Sequence, residues 1–225
     1  MQLRDRRATA SLAVCVLVLG IVVFAQAAVA QQGAAYWKFD EGSGNVAHDS
    51  SGNHNDGTIV KAAWAEGGSG KALAFHDYAA GYPAKAGSES EYVLVKYSPG
   101  LTPHKSFDVS ATINVGPGFE PSFAAGIVQK GSGYGCSFRV LLRSDLHIQA
   151  TVGQEHNSVV SQSAVARGKW TTIRVTYDGN QAQVFIDGKQ DGSFQLAGAK
   201  LESEEDITIG TRFTGRIDEI KIQVQ

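Results

Sequence analysis

Beyond Ala30 the chain is written in short runs of Val, Ile, Thr, Phe and Tyr, separated by Gly, Asn, Asp and Ser. Apolar and polar positions alternate with a period of two, and no long stretch keeps a 3.6-residue apolar period. That pattern predicts β-strands with one buried face and short turns. Residues 170–187 are the clearest case. Ile173, Val175 and Tyr177 alternate with polar residues, Asp178-Gly179-Asn180 supplies turn chemistry, and Ala182, Val184 and Ile186 resume the alternation. This is the signature of a hairpin. Further strands are expected near 36–40, 58–60, 72–75, 91–95, 107–115, 123–129, 136–142, 146–151, 158–162, 207–209 and 216–224. About a dozen strands with short connections predict an all-β fold, an antiparallel β-sandwich of two packed sheets.

The closing stretch FTGRIDEIKIQV (213–224) contains an exception. Ile220, Ile222 and Val224 share one phase, and Glu219, Lys221 and Gln223 share the other. Asp218 falls in the apolar phase, so alternation alone predicts a carboxylate directed to the buried face. The acidic run ESEED (202–206) reads as a solvated loop. No repeat and no Pro/Gly/Ser-rich linker interrupts residues 31–225, which predicts a single domain.

Residues 1–30 read differently. Arg4, Arg6 and Arg7 precede an apolar run over residues 12–25, and Ala28 and Ala30 give the small-x-small pattern that signal peptidase accepts. Cleavage after Ala30 is expected, with export to the periplasm, cell envelope or medium and no membrane insertion afterwards. The alternative is an uncleaved anchor, although the run is shorter than the ~20 residues a spanning helix needs. Cleavage would remove Cys15 and leave Cys136 without an intrachain disulfide partner, so Cys136 is expected to be a small apolar core residue. The formal charge is −2 and basic residues are dispersed. This argues against nucleic acid or an anionic membrane as partner. With no Asn-x-Ser/Thr site either, an exported bacterial protein fits best.

In order along the chain, AYWKFDEGSG (35–44), DSSGN (49–53), GTI (57–59), GKALAF (70–75) and EYVLV (91–95) with SPGL (98–101) carry a resemblance. IVQKG (127–131), GKWTTIRVTYDG (168–179), FIDG (185–188), ITIG (207–210) and FTGRIDEI (213–220) extend it to the end. This succession resembles laminin-G-like domains of the concanavalin A-like lectin/glucanase superfamily. The resemblance implies a jelly roll of two curved antiparallel sheets whose first and last strands lie side by side, bringing Asp40 near Asp218. It also implies an exported binding module for glycans or proteins, often with a bound calcium ion. Fold alone does not settle function.

Retaining glycosidases of this fold carry Glu-x-Asp-x-x-Glu on one strand, which places two carboxylates on one face. That pattern is absent, and the neighbours Asp218-Glu219 would face opposite ways. The six histidines are scattered and no Gly-x-Ser-x-Gly elbow occurs. A non-enzymatic chain is therefore expected. For metal, the candidates are Asp40 and Asp218, sharing a structural Ca²⁺ with oxygens of the Gly-rich turn after Asp40. The alternative is that Asp218 caps backbone amides without an ion. The segment HDSSGNHNDG (48–57) is rich in ligand types, but its residues also build Asx-turns.

For ligand contact, Trp37 and Trp170 lie in strand segments and are expected in the core. The loop HDYAAGYPAK (76–85) offers Asp77, Tyr78, Tyr82 and Lys85 as glycan-binding candidates. Their alternative role is to pin the loop to the domain. Carbohydrate binding is the expected function, assisted by calcium if the ion is held. A protein-interaction, adhesion or envelope-structural module is the alternative, and a glycoside-active enzyme without the usual acidic motif comes third.

Overall fold

The computed structural model describes residues 34–76, 91–119, 124–131 and 135–225. The leader expected over residues 1–30 lies outside the described residues. So do Asp77, Tyr78, Tyr82 and Lys85.

Two eight-stranded antiparallel sheets account for just over half of the described residues. The first, sheet A, runs in the order β14 (Lys189–Gln195), β13 (Gln181–Ile186), β12 (Trp170–Tyr177), β7 (Phe107–Val115), β16 (Thr214–Val224), β5 (Lys71–His76) and β4 (Ala63–Glu66). Strand β1 (Ala34–Trp37) joins the same sheet on β16. Sheet B runs β11 (Gln154–Ala164), β10 (His147–Val152), β9 (Phe138–Leu142), β8 (Ala125–Lys130), β15 (Ile207–Ile209), β6 (Tyr92–Val95), β3 (Gly57–Val60) and β2 (Val46–Ala47). The sandwich predicted from alternation is therefore present, and β7, β12 and β15 have the predicted bounds. Strands β2, β4 and β14 carry no clear apolar alternation. In β14 only Gly192 is buried, because the strand lies at a sheet edge and buries little of either face.

The core between the sheets collects the apolar phase of each strand. Trp37, Phe39, Leu73, Phe75, Ile113, Ile127, Phe138, Ile217 and Ile220 are all fully or almost fully buried there, and Cys136 is buried as expected. Among the described residues no helix is long and apolar enough to cross a membrane.

One glycine shows how tightly the sheets meet. Gly210 has φ +82°, and a Cβ on it would lie 2.2 Å from Cε1 of Phe75. Gly210→Ala is expected to cost about 2 kcal/mol, part left-handed strain and part overlap with a fixed aromatic ring. Gly198→Ala, at φ +66° with open space around it, isolates the strain and is expected to cost about half as much. Urea unfolding of both variants checks the difference.

The last strand does not follow simple alternation. Its pairing with β7 slips between Asp218 and Lys221, and Glu219 takes φ +54°. This is a β-bulge, which reverses the phase of everything that follows. Ile217 pairs with Ile113 and faces the core; after the bulge Ile220 and Ile222 do. The expectation that Asp218 points into the core is thus corrected. Asp218 pairs with Thr112, whose hydroxyl bonds Thr172 on the outer face of sheet A. Asp218 is nevertheless only 2% exposed.

Candidate functional site

Strand β1 is short and its free edge is held by residues 48–56. The Tyr36 N–H donates to Asp49 Oδ1 at 2.9 Å, and the Ser50 N–H donates to the Tyr36 carbonyl. Asp49 Oδ1 also accepts from Ser51 N–H, while its Oδ2 accepts from both Asn55 N–H and Asn55 Nδ2. Trp37 Nε1 donates to the Asn55 carbonyl, so the indole is buried without an orphaned donor. Burial pushes the Asp49 carboxyl up, but bonds from Ser51, Tyr36 and Asn55 outweigh it and leave the group below the usual range. Of the two readings of this Asp/Asn-rich segment, the side chains build Asx-turns that clasp an edge strand.

With β1 fixed, registers bring one row of side chains across the outer face of sheet A. Phe185 pairs with Arg174, Arg174 with Ser110, Ser110 with Lys221 and Lys221 with Tyr36. The next row carries Thr176, Asp108 and Gln223. Sequence reading missed this set because each residue is an ordinary polar position in an alternating strand. The only signal was the outward phase of β7 and β12, which looks like any solvated face.

The rows are chemically organised. Arg174 Nε donates to Asp108 at 2.9 and 3.0 Å, and Nη2 completes a bidentate pair. Hydrogen bonding to Asp108 raises the Arg174 guanidinium above its already high value. Its Cζ lies 5.4 Å from the Phe185 ring centroid. Further along the same row, Lys221 Nζ lies 4.4 Å from the Tyr36 ring and 3.6 Å from a Glu219 oxygen. The Tyr36 hydroxyl donates to Glu219. Burial first, then that bond and the Glu219, Asp218 and Asp40 charges, raise the Tyr36 phenol well above its usual range.

A cavity of ≈500 Å³ opens on these rows, lined among others by Tyr36, Ser51, Asn53, Asp108, Arg174 and Lys221. A second, of ≈440 Å³, is lined by Lys105, Thr176, Asp178 and Gln225. The two share Asp108, Arg174 and Gln223, so they form one groove.

Beside the groove, the turn between β4 and β5 folds over the outer face. Gly68 packs on the indole of Trp170, and Gly67 packs on the carboxylate of Asp218. Trp170 is thus half-buried on the outer face, with the Arg216 guanidinium 5.8 Å from its ring, and the expected core position is corrected. Asp218 Oδ1 accepts the Glu219 N–H at 2.9 Å, and Asp40 Oδ1 accepts the Lys71 N–H at 3.1 Å. Burial pushes the Asp218 carboxyl up to about 7, with the Glu219 and Asp40 charges adding to it against the Glu219 and Gly68 amides.

The structure does bring Asp40 and Asp218 into one electrostatic neighbourhood. Among the described residues, however, no group of three or more His, Cys, Asp or Glu side chains is placed to hold a metal. Calcium takes six to eight oxygens. Two carboxylates already engaged by amides fall short of that, so the described side chains do not by themselves fit the ion. As it stands, the Asp218 carboxylate is capped by the Glu219 amide.

The concanavalin A-like lectin/glucanases superfamily model matches residues 87–224. No curated protein matches the sequence significantly. Among solved structures, domain 4 of AbnA, an extracellular arabinanase from Geobacillus stearothermophilus solved with arabinotriose, is 16% identical with a TM-score of 0.62. The match covers 84% of this chain and 91% of that one. The binding domain of botulinum neurotoxin serotype D is 10% identical with a TM-score of 0.62, covering 87% of this chain and 48% of that one. A Trypanosoma rangeli sialidase bound to the inhibitor DANA is 14% identical with a TM-score of 0.60, covering 84% and 30%. The chain therefore spans about half of the toxin domain and less than a third of the sialidase. At these identities the similarity shows the fold.

Proposed function

The chain belongs to the concanavalin A-like lectin/glucanases superfamily, and on that premise we propose that it is a non-catalytic glycan-binding module whose ligand lies in the groove on the outer face of sheet A. The observation that carries this reading is the convergence around one groove of a bidentate Arg174–Asp108 pair with Ser110 and Gln223, placed by strand register, and Ser51 and Asn53, placed by the segment that clasps β1. Such groups read sugar hydroxyls, and concave sites with few convergent polar groups are where small ligands bind. The arabinotriose complex of one structural neighbour agrees with this class of ligand.

A catalytic reading finds less support. Asp218 is the one carboxylate among the described residues with a strongly raised pKa, as a general acid would require. It is covered by Gly67 and lines neither cavity. A protein-docking reading would want a contiguous apolar patch. Of the exposed large apolar residues among those described, Val46 lies on β2, Tyr97 on the connection after β6, and Val160 and Phe194 on the adjoining strands β11 and β14, which makes no broad apolar face. Export belongs to the same proposal, supported by the leader expected over residues 1–30 and by the extracellular enzyme that contains the AbnA domain.

Glycan-array binding of the purified protein tests the reading, with Ser110→Tyr as its control. Ser110 points outward between Arg174 and Lys221, so a tyrosine there fills the groove without touching the core. Affinity for any glycan found is expected to fall at least ~10-fold with the melting temperature nearly unchanged. Unaltered affinity would place the ligand elsewhere.

A further inference from the structure

The groove is lined by charged groups yet is close to neutral. Arg174 is held by Asp108 on the adjacent strand, and Lys221 lies beside Glu219. Asp178 spends its Oδ1 on the amides of Asn180 and Gln181, both at 2.8 Å. Among the described cationic residues of the lining only Lys105, at the far end, has no ion pair. An anionic ligand at the middle of the groove would have to take Arg174 from Asp108, exchanging one bidentate pair for another and leaving a partly buried carboxylate without its cation. A hydroxyl-bearing ligand makes no such exchange. It can accept from the remaining guanidinium N–H groups and donate to the remaining carboxylate lone pairs while the pair stays intact.

The shape narrows the ligand further. The two cavities meet at Asp108, Arg174 and Gln223. The floor follows the outward positions Ser110 and Asp108 of β7 and continues past the start of that strand over Ser106 and Lys105, with about 10 Å of it within β7 from Ser110 to Phe107 at the strand rise. That is longer than one sugar ring and open along its length.

We infer that the groove takes a neutral, linear oligosaccharide, read at its middle by the Arg174–Asp108 pair, and not an acidic or sulfated chain. This inference rests on the glycan-binding reading above and names its ligand class.

Titration calorimetry tests it, using arabinose, xylose and glucose oligomers of one to four units against oligogalacturonides and heparin oligosaccharides. At about 50 and about 500 mM NaCl the ionic screening lengths differ severalfold. Affinity is expected to rise at least ~10-fold from monomer to trimer in one neutral series, and to change less than ~2-fold with salt. Asp108→Asn keeps the shape of the side chain but releases the Arg174 charge. It is expected to weaken the neutral ligand at least ~10-fold and to create salt-sensitive binding of the acidic chains. Wild-type protein that binds only acidic chains, with affinity collapsing at high salt, overturns the neutral class while leaving a glycan-binding module. Silence toward both series in wild type overturns the glycan reading itself. Neutral binding that Asp108→Asn leaves unchanged overturns the assigned role of the pair.

Discussion

Asp49→Ala is expected to lower the unfolding free energy by about 3 kcal/mol, a large effect for one polar side chain. Asp49 is 9% exposed and its carboxylate accepts four hydrogen bonds, from Tyr36 N–H, Ser51 N–H, Asn55 N–H and Asn55 Nδ2. Alanine leaves the edge amide of β1 without its partner and frees the segment whose Asn55 carbonyl accepts from the Trp37 indole. Hydrogen bonds to a charged acceptor contribute more than neutral ones, and their loss strands the donors. Asp56→Ala removes an acceptor from the Asp49 N–H at 2.7 Å. Asp56 is substantially exposed, so that variant is expected to cost well under half as much. Because the Asp49 pKa is depressed, its contribution is present above the unfolded-state value near 4 and is lost as pH falls through the folded-state value. Urea unfolding at neutral and acid pH measures both. A loss below about 1 kcal/mol at pH 7 would mean that the backbone clasp holds without the carboxylate.

Asp218→Asn is expected to stabilise the protein at pH 8 and to leave it nearly unchanged at pH 4. The folded carboxyl titrates at about 7, above the unfolded value of about 4. Between those values the folded state holds a proton that the unfolded state has lost, so stability falls as pH rises. From pH 5 to pH 8 the decline attributable to this group is about 2–3 kcal/mol, at ~1.4 kcal/mol per unit. Asparagine has no charge to lose, so the difference between variant and wild type isolates Asp218 from every other titrating group. Millimolar Ca²⁺ at pH 8 is expected to leave the wild-type curve in place. A calcium-dependent rise in wild type that Asp218→Asn abolishes would instead make Asp40 and Asp218 ligands. A wild-type pH slope shared by the variant would place the titration elsewhere.

Both predictions depend on residues that the sequence marked out without explaining them. The run DSSGNHNDG announced turn chemistry, and Asp218 announced itself as a polar residue out of phase. Which edge Asp49 clasps depends on Tyr36, 13 residues away in the chain. What buries Asp218 is the Gly67–Gly68 turn, which lies far off in the chain. Alternation names only the two faces of the strand itself and says nothing of a turn folded over one of them. The bulge was equally hidden. A single residue at φ +54° moves Asp218 from the core face to the outer face. Trp37 and Trp170 show the same limit, since both lie in strands of similar character and only Trp37 faces the other sheet.

Read from the amino acids alone, the fold class and the bounds of β7, β12 and β15 were already legible, and the family resemblance implied the side-by-side placement of first and last strands. Strand bounds follow from period-two alternation and turn residues, which act within a few positions of one another. The groove was not legible in this way. Phe185, Arg174, Ser110, Lys221 and Tyr36 come from five strands, and what makes them a row is their register. Register is set by pairing across the sheet and by core packing beneath it, and neither is written in any single strand.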